Sequence, residues 1–289
     1  MFSLNNLSDV YFIAEIGINH NGDLSIAKRL IDAAFACGWD CVKFQKREPD
    51  VCVPDAQKER MVDTPWGSMT YLAYKKRIEF GAVEYDFIDK YCAMKTIFWT
   101  ASVWDPGSLD FLIKYRPPFI KIPSAHLTNT LLLEKAAQAR IPLIVSTGMS
   151  TLEEVDVCVE ILRKNKTEFA LMHTNSAYPA PDDEINLRVI NTLRKRYGCT
   201  IGYSGHEYGL EASILAVSLG ATIIERHITL DHMMWGTDQK ASLEIQGMDK
   251  LIRRAKAVKM YMGSSEKVLT KSEISPREKL RGENANIVR

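Results

Sequence analysis

Short apolar runs alternate along the chain with longer stretches whose apolar positions recur every three or four residues. Residues 11–16 read as a first strand, with a helix over 24–37. Residues 40–44 form a second strand, and its helix comes late, over 83–94. Strands over 97–100, 119–122 and 142–145 follow, each trailed by a helix (107–115, 129–139, and one that starts after Ser150). That last start reads as a capping box, with Ser150 as N-cap and Glu153 three residues on. Strands over 168–172, 199–203 and 222–225 complete the series, with helices over 187–196, 209–219 and 248–262. Eight strand–helix units in 289 residues predict one (β/α)8 TIM barrel spanning 1–289. A doubly wound open sheet is the alternative, but no G-x-G-x-x-G follows the first strand.

Two segments break the rhythm. Residues 46–81 carry Pro49, Pro54, Pro65 and many charges, and are too long for an ordinary strand-to-helix loop. They read as a lid, a subunit contact or a disordered loop. Residues 230–247, after the eighth strand, are also long.

Composition narrows the function classes. The chain is 46% hydrophobic and 25% charged, ordinary for a globular enzyme, and its formal net charge is +1. No basic field is present to recruit nucleic acid. No window holds the roughly 18 apolar residues of a membrane span, and the first residues do not resemble a signal peptide. The six cysteines form no C-x-x-C pair and read as reduced thiols. A cytoplasmic enzyme without membrane or nucleic-acid partners is expected.

Candidate chemistry lies at the strand ends. His206 and His227 follow consecutive predicted strands, which a strand–helix–strand unit sets parallel and adjacent. Two imidazoles at one face of a sheet suit an open, catalytic metal site; alternatively each caps its own strand with a hydrogen bond. The other ends are polar as well: Glu15, Lys43 and Gln45, Thr100 and Ser102, Lys121 and Ser124, Ser146, Ser176 and Tyr178, Ser204, and Glu225. Lys43 and Lys121, ringed by hydroxyls, suit a phosphate and a carboxylate on one small ligand. Equally, the two lysines could bridge to Glu15 and Glu225. Glu15 is the candidate general base or water-orienting group. Asp238 sits on a loop able to fold back over the mouth.

At this point the motifs match a family. Ala14-Glu-Ile-Gly-Ile-Asn-His-Asn-Gly22, Val42-Lys-Phe-Gln45, Lys121-Ile-Pro-Ser124, Ser146-Thr-Gly-Met149, the run from His173 to Pro181, and Ile224-Glu-Arg-His-Ile-Thr229 resemble the N-acetylneuraminate (sialic acid) synthase family. The resemblance implies a barrel that condenses phosphoenolpyruvate with an N-acetylhexosamine, commonly N-acetylmannosamine or its 6-phosphate. It implies a divalent metal on His206 and His227, typically Mn²⁺, with Mg²⁺ or Co²⁺ as alternatives. It assigns Lys43, Gln45, Thr100, Lys121, Ser124, Ser146, Ser176 and Ser204 to phosphoenolpyruvate, and Glu15 to the attacking water. It assigns Tyr178, Asp238 and position 126 to the sugar.

Three departures accompany the resemblance. His126 stands where the family usually places a Glu, and Gly205 where an Asp commonly precedes the metal His. The chain ends after the barrel, without the C-terminal antifreeze-like domain that supplies an Arg to the sugar. A homo-oligomer is expected, with loop residues such as Arg47 or Arg60, or a separate antifreeze-like capping protein, covering the site. The departures raise two further readings: synthesis of a different 3-deoxy sugar acid, and a non-catalytic partner of a full-length synthase.

Overall fold

The structure, a computed structural model, describes residues 2–281. Eight parallel strands close into a barrel in chain order: Tyr11–Gly17, Cys41–Lys46, Phe98–Val103, Ile120–Ile122, Leu143–Ser146, Phe169–Thr174, Thr200–Gly205 and Ile223–His227. The eighth pairs with the first, so the sheet has no free edge. This is the (β/α)8 barrel that the alternating runs predict.

Both faces of each strand are covered, which is why the strands read as near-continuous apolar runs. Inward, Ile13, Cys41, Phe119, Ile144, Ala170, Met172 and Ile223 fill the barrel, and Leu4 closes it from below. Outward, Phe12, Ile16, Val42, Phe44 and Leu171 pack on the helices. Each fully buried Leu, Ile or Phe contributes about 1.5–3 kcal/mol relative to exposure. The helix Leu24–Ala36 shows the local logic. The Asp23 carboxylate accepts from the Ser25 and Ile26 N–H groups at its start, and Ala27, Leu30, Ile31 and Ala34 form its buried stripe.

Two expectations are corrected, and of the three readings of 46–81 the disordered loop falls away. The helix Leu152–Lys164 is capped by Thr151, not Ser150: Thr151 and Glu154 make the reciprocal pair. The Ser150 hydroxyl is already donating to the Gly148 carbonyl at 3.2 Å. The last barrel helix starts earlier than expected, at Ile245, and takes in Gly247. The segment 46–81 is ordered. It holds short helices at Pro49–Cys52 and Asp55–Lys58, a hairpin of Met61–Thr64 with Gly67–Thr70, and a helix Tyr71–Ile78 capped by Thr70.

That excursion has its own small core of Ile18, Tyr74 and Ile78, with Val62, Met69, Tyr71 and Trp235 packed against it. Trp235 belongs to the long loop after the eighth strand, and its ring centroid lies 5.0 Å from Tyr74 and 5.8 Å from Trp66. The two segments that break the sequence rhythm therefore pack on each other, beside the strand ends. Among the described residues no helix is long and apolar enough to cross a membrane.

Candidate active site

Register sets the polar layer. Glu15 lies opposite Lys43 on one side and His227 on the other; Ser102 lies opposite Gln45 and Lys121; Glu225 lies opposite Ser204. Parallel strands in register bring these side chains to one height at the C-terminal mouth, where barrel active sites form.

The charges there are buried and paired. Lys43 Nζ lies 2.6 Å from Glu15 Oε2 and 3.5 Å from Glu225 Oε1. Lys121 Nζ donates to both Glu225 oxygens, at 2.9 and 3.1 Å, and the Ser204 hydroxyl donates to Oε1 at 3.0 Å. Burial alone would raise the Glu225 carboxyl, but Lys121 and Lys43 hold it down at about 2. Burial opposes the charge on Lys43, and Glu15 and Glu225 outweigh it, so its pKa rises. Burial lowers Lys121 and the neighbouring Lys43 adds to the effect, against the pull of Glu225. Two ammonium and two carboxylate groups thus face one another, and their formal charges balance. An ammonium has three donors, and both lysines still line the cavity.

The imidazoles face one another across this grid, with ring centroids 5.4 Å apart. His206 Nδ1 lies 2.6 Å from the Asn175 carbonyl. A carbonyl can only accept, so Nδ1 carries the proton and Nε2 presents its lone pair. The Tyr178 hydroxyl sits 2.8 Å from His206 Nε2 and 3.4 Å from His227 Nε2, so both nitrogens converge on one point. Burial, then the neighbouring His227, push His206 down to about 3, which keeps it neutral. His227 Nδ1 is buried without a hydrogen-bond partner, 3.8 Å from Asp238 Oδ2. Two imidazole nitrogens aimed at one point fit a divalent ion. Among the described residues no group of three or more His, Cys, Asp or Glu surrounds such a point. An ion held there would keep positions open for water and substrate.

A hydroxyl shelf lines the opposite wall. The Ser124 hydroxyl accepts from the Gly148 N–H at 3.1 Å. A Cβ at position 148 would collide with Ser176 Oγ and meet Ser124 Oγ at 2.8 Å, so only glycine lets the backbone come this close. Sequence reasoning passed over Gly148 although it sits inside the quoted Ser146–Met149 motif.

A cavity of about 170 Å³ opens among these groups. Its lining includes Glu15, Lys43, Gln45, Lys121, Ser124, Ser146, Ser176, Tyr178, Ser204, His206 and His227. Three expected residues lie elsewhere. The Thr100 hydroxyl donates to the Phe119 carbonyl at 2.6 Å, one layer down the barrel, and Ser102 takes the place at the cavity. Asp238 approaches His227 from the loop but stands outside the lining. His126 packs its ring against the edge of Trp104, 5.4 Å away, beside Asn129, also outside the lining. His20 stacks on Phe80 at 3.9 Å, and His173 Nε2 meets the Ile185 carbonyl at 2.7 Å; both hold structure. Arg47 reaches the rim: its guanidinium donates to the Gln45 side-chain amide oxygen Oε1 and lies 4.1 Å from the Trp104 ring centroid.

Comparison with known proteins settles the family. The NeuB family model matches residues 30–267. The chain belongs to the NeuB family. Human N-acetylneuraminate-9-phosphate synthase is 39% identical over 273 residues, 93% of this chain and 76% of the human protein. The N,N'-diacetyllegionaminic acid synthase of Campylobacter jejuni is 35% identical over 282 residues, covering 96% of this chain and 82% of its own. The N-acetylneuraminic acid synthetase of Leptospira borgpetersenii, solved with citrate, superposes with a TM-score of 0.84 at 31% identity, covering 96% of this chain and 92% of that one. NeuB membership makes the chain a phosphoenolpyruvate-dependent transferase of the sialic acid synthase type, as the resemblance implied.

A glycine at position 205 has a physical reason in this NeuB chain. A Cβ there would meet the Glu207 carboxylate at 2.6 and 2.8 Å. Glu207 fills the space because it accepts from buried Arg226 Nη1 at 2.9 Å and from the Tyr203 hydroxyl at 2.7 Å. Gly205→Asp should therefore destabilise the protein by about 3 kcal/mol, since breaking a buried ion pair costs that much. Urea unfolding measures it; an unchanged midpoint would show that Glu207 can vacate the space freely.

Proposed function

We propose that this chain condenses phosphoenolpyruvate with the aldehyde of an open-chain, N-acetylmannosamine-like aldose, giving a 3-deoxy-nonulosonic acid and phosphate. The observation that carries the reading is the meeting of a converging imidazole pair, two paired lysines and a hydroxyl shelf in one cavity. The names of the human and Campylobacter relatives support a nonulosonic acid as product.

In this reading Lys121 and Lys43 direct their remaining N–H donors at the phosphate and carboxylate of phosphoenolpyruvate. The hydroxyls of Ser124, Ser146 and Ser176 supply neutral donors beside them, with Ser124 held in place by the Gly148 N–H. Such donors are aimed before substrate arrives, so they need no reorganisation during reaction. The C3 carbon of phosphoenolpyruvate forms the new bond to the aldehyde carbon, whose oxygen takes up a proton. Glu15 orients a water and draws its proton as the water oxygen adds to C2. The C2–O bond to phosphate then breaks, phosphate leaves with the bonding pair, and the C2 hydroxyl loses its proton to give the ketone. His206 and His227 would hold a divalent ion, Mn²⁺ above all, whose chemistry is Lewis-acid polarisation of the aldehyde. Tyr178 orients both imidazoles and gives the acceptor a hydroxyl contact.

The test is inorganic phosphate release from phosphoenolpyruvate with a panel of hexoses, pentoses, N-acetylhexosamines and their 6-phosphates, with product mass as second readout. A nine-carbon keto acid formed with stoichiometric phosphate is expected. A product of seven or eight carbons would move the chain to another sugar-acid synthesis. No phosphate release with any aldose, in the presence of divalent metal, would sink the reading.

A further inference from the structure

Behind the imidazole pair lies a buried ion pair that stands outside the cavity lining. Side chains alternate along the strand Ile223–His227, so Glu225 and His227 point to the cavity and Arg226 points away from it, toward the helix layer. Arg226 is 1% exposed, and its Nη1 donates to Glu207 Oε1 at 2.9 Å. Nη1 also donates to the Gly209 carbonyl at 2.9 Å and to the Ser213 hydroxyl at 3.0 Å. Nη2 donates to the Glu207 backbone carbonyl at 2.7 Å. The second Glu207 oxygen, Oε2, accepts from the Tyr203 hydroxyl at 2.7 Å.

These bonds flank the two histidines. Arg226 immediately precedes His227, and Glu207 immediately follows His206. The ladder between the seventh and eighth strands ends at the rung that pairs Gly205 with Arg226. His206 lies one residue past that rung, where strand pairing no longer sets its distance from His227. Arg226 takes over there: one guanidinium on the strand of His227 holds the loop of His206 by the carbonyls of Glu207 and Gly209. The Tyr203–Glu207 bond closes the same loop from the strand side, so the backbone of His206 is fixed before and after it.

Stability alone is a poor reason for this pair. Taking two charges out of water offsets most of their attraction, and well-packed apolar residues of equal volume serve as well. Among the described residues Arg226 Nε also lacks a hydrogen-bond partner. What a planar guanidinium adds is direction, because its donors sit in a fixed fork. We propose that Arg226 and Glu207 are positioning residues, a latch that sets the spacing of His206 and His227 and keeps their Nε2 atoms converged. The proposal rests on the reading of that imidazole pair as the seat of a divalent ion.

The experiment uses two altered latches. Arg226→Lys keeps the charge and loses the fork, while the double variant Arg226→Met with Glu207→Leu removes both charges at similar volume. Glu79→Gln, which breaks the buried Lys46–Glu79 pair at 2.7 Å, is the control for general loosening. Mn²⁺ binding to metal-free protein, read by calorimetry, should weaken by about 10- to 100-fold in both latch variants, the usual scale for groups that orient a metal ligand. The double variant should keep its melting temperature within a few degrees, and Glu79→Gln should bind Mn²⁺ like the intact protein. In metal-free protein the ring-nitrogen NMR signals of His206 and His227 should shift in Arg226→Lys, while that of His20, stacked on Phe80, should not. Unchanged Mn²⁺ affinity in the folded latch variants overturns the proposal, as does an equal weakening in Glu79→Gln. Should the double variant fail to fold, Arg226→Lys decides. If the intact protein takes up no Mn²⁺, the metal reading fails and the ring signals decide the latch: a shift in Arg226→Lys upholds it, and unmoved signals overturn it.

Discussion

Replacing His227 with alanine should cost about 10³-fold or more in turnover while leaving the protein folded. A Lewis acid contributes several kcal/mol to such a reaction, and each 1.36 kcal/mol is tenfold in rate. The fold should survive because His227 Nδ1 has no hydrogen-bond partner to lose, and its Nε2 only meets the Tyr178 hydroxyl at 3.4 Å. An excess of chelator should produce the same loss in the unaltered protein, and added Mn²⁺ should restore it. Two readouts separate this from a structural histidine. Thermal unfolding of His227→Ala should stay within a few degrees, and added Mn²⁺ should raise the melting temperature of the unaltered protein but not of the variant. Full turnover in excess chelator would remove the metal from the mechanism.

The second large effect is expected at Glu15. Glu15→Gln keeps the volume and removes the charge. If Glu15 moves the proton of the attacking water, kcat should fall by about 10²–10⁴-fold, the usual range for a general base. If Glu15 only holds Lys43, which lies 2.6 Å away, the loss should appear in KM for phosphoenolpyruvate instead. Steady-state kinetics with phosphoenolpyruvate as the varied substrate divides the two outcomes. An unchanged kcat would end the proton-transfer role.

The barrel was legible because a parallel strand covered on both faces has to be apolar over its length, and its helix has to be apolar at every third or fourth position. Residues 11–16 and 24–37 carry those periods cleanly, and the observed Tyr11–Gly17 and Leu24–Ala36 agree within two residues. The hairpin at Met61–Thr64 and Gly67–Thr70 was not legible. Its strands are four residues long, and its faces rest on Tyr74 and Trp235, partners that only the folded chain brings near. Thr100 shows how a short error in an element's end changes a chemical assignment. The third strand runs on to Val103, three residues past the expected end, so the cavity layer falls at Ser102. The choice between anion-binding and bridging lysines was open in sequence because it depends on distance. In the structure Lys43 bridges to Glu15 and Glu225, Lys121 bridges to Glu225, and both still reach the cavity. The capping box at 150–154 offers two overlapping registers, and the choice was made by the Ser150 hydroxyl's bond to Gly148, outside the helix.

The internal neutrality of the lysine–carboxylate grid has a consequence for how fast an anion arrives. Two positive and two negative groups at such short range form a multipole whose field fades within a few ångströms. It grips a phosphate already inside the cavity but does not call one in from solution. Any long-range attraction must come from charges outside the grid, Arg47 at the rim among them, where solvent screens charge over roughly 8–10 Å at ordinary ionic strength. Capture and grip are then separate properties in this molecule. Added salt should slow the encounter of anions with the barrel mouth while barely changing how long a bound one stays.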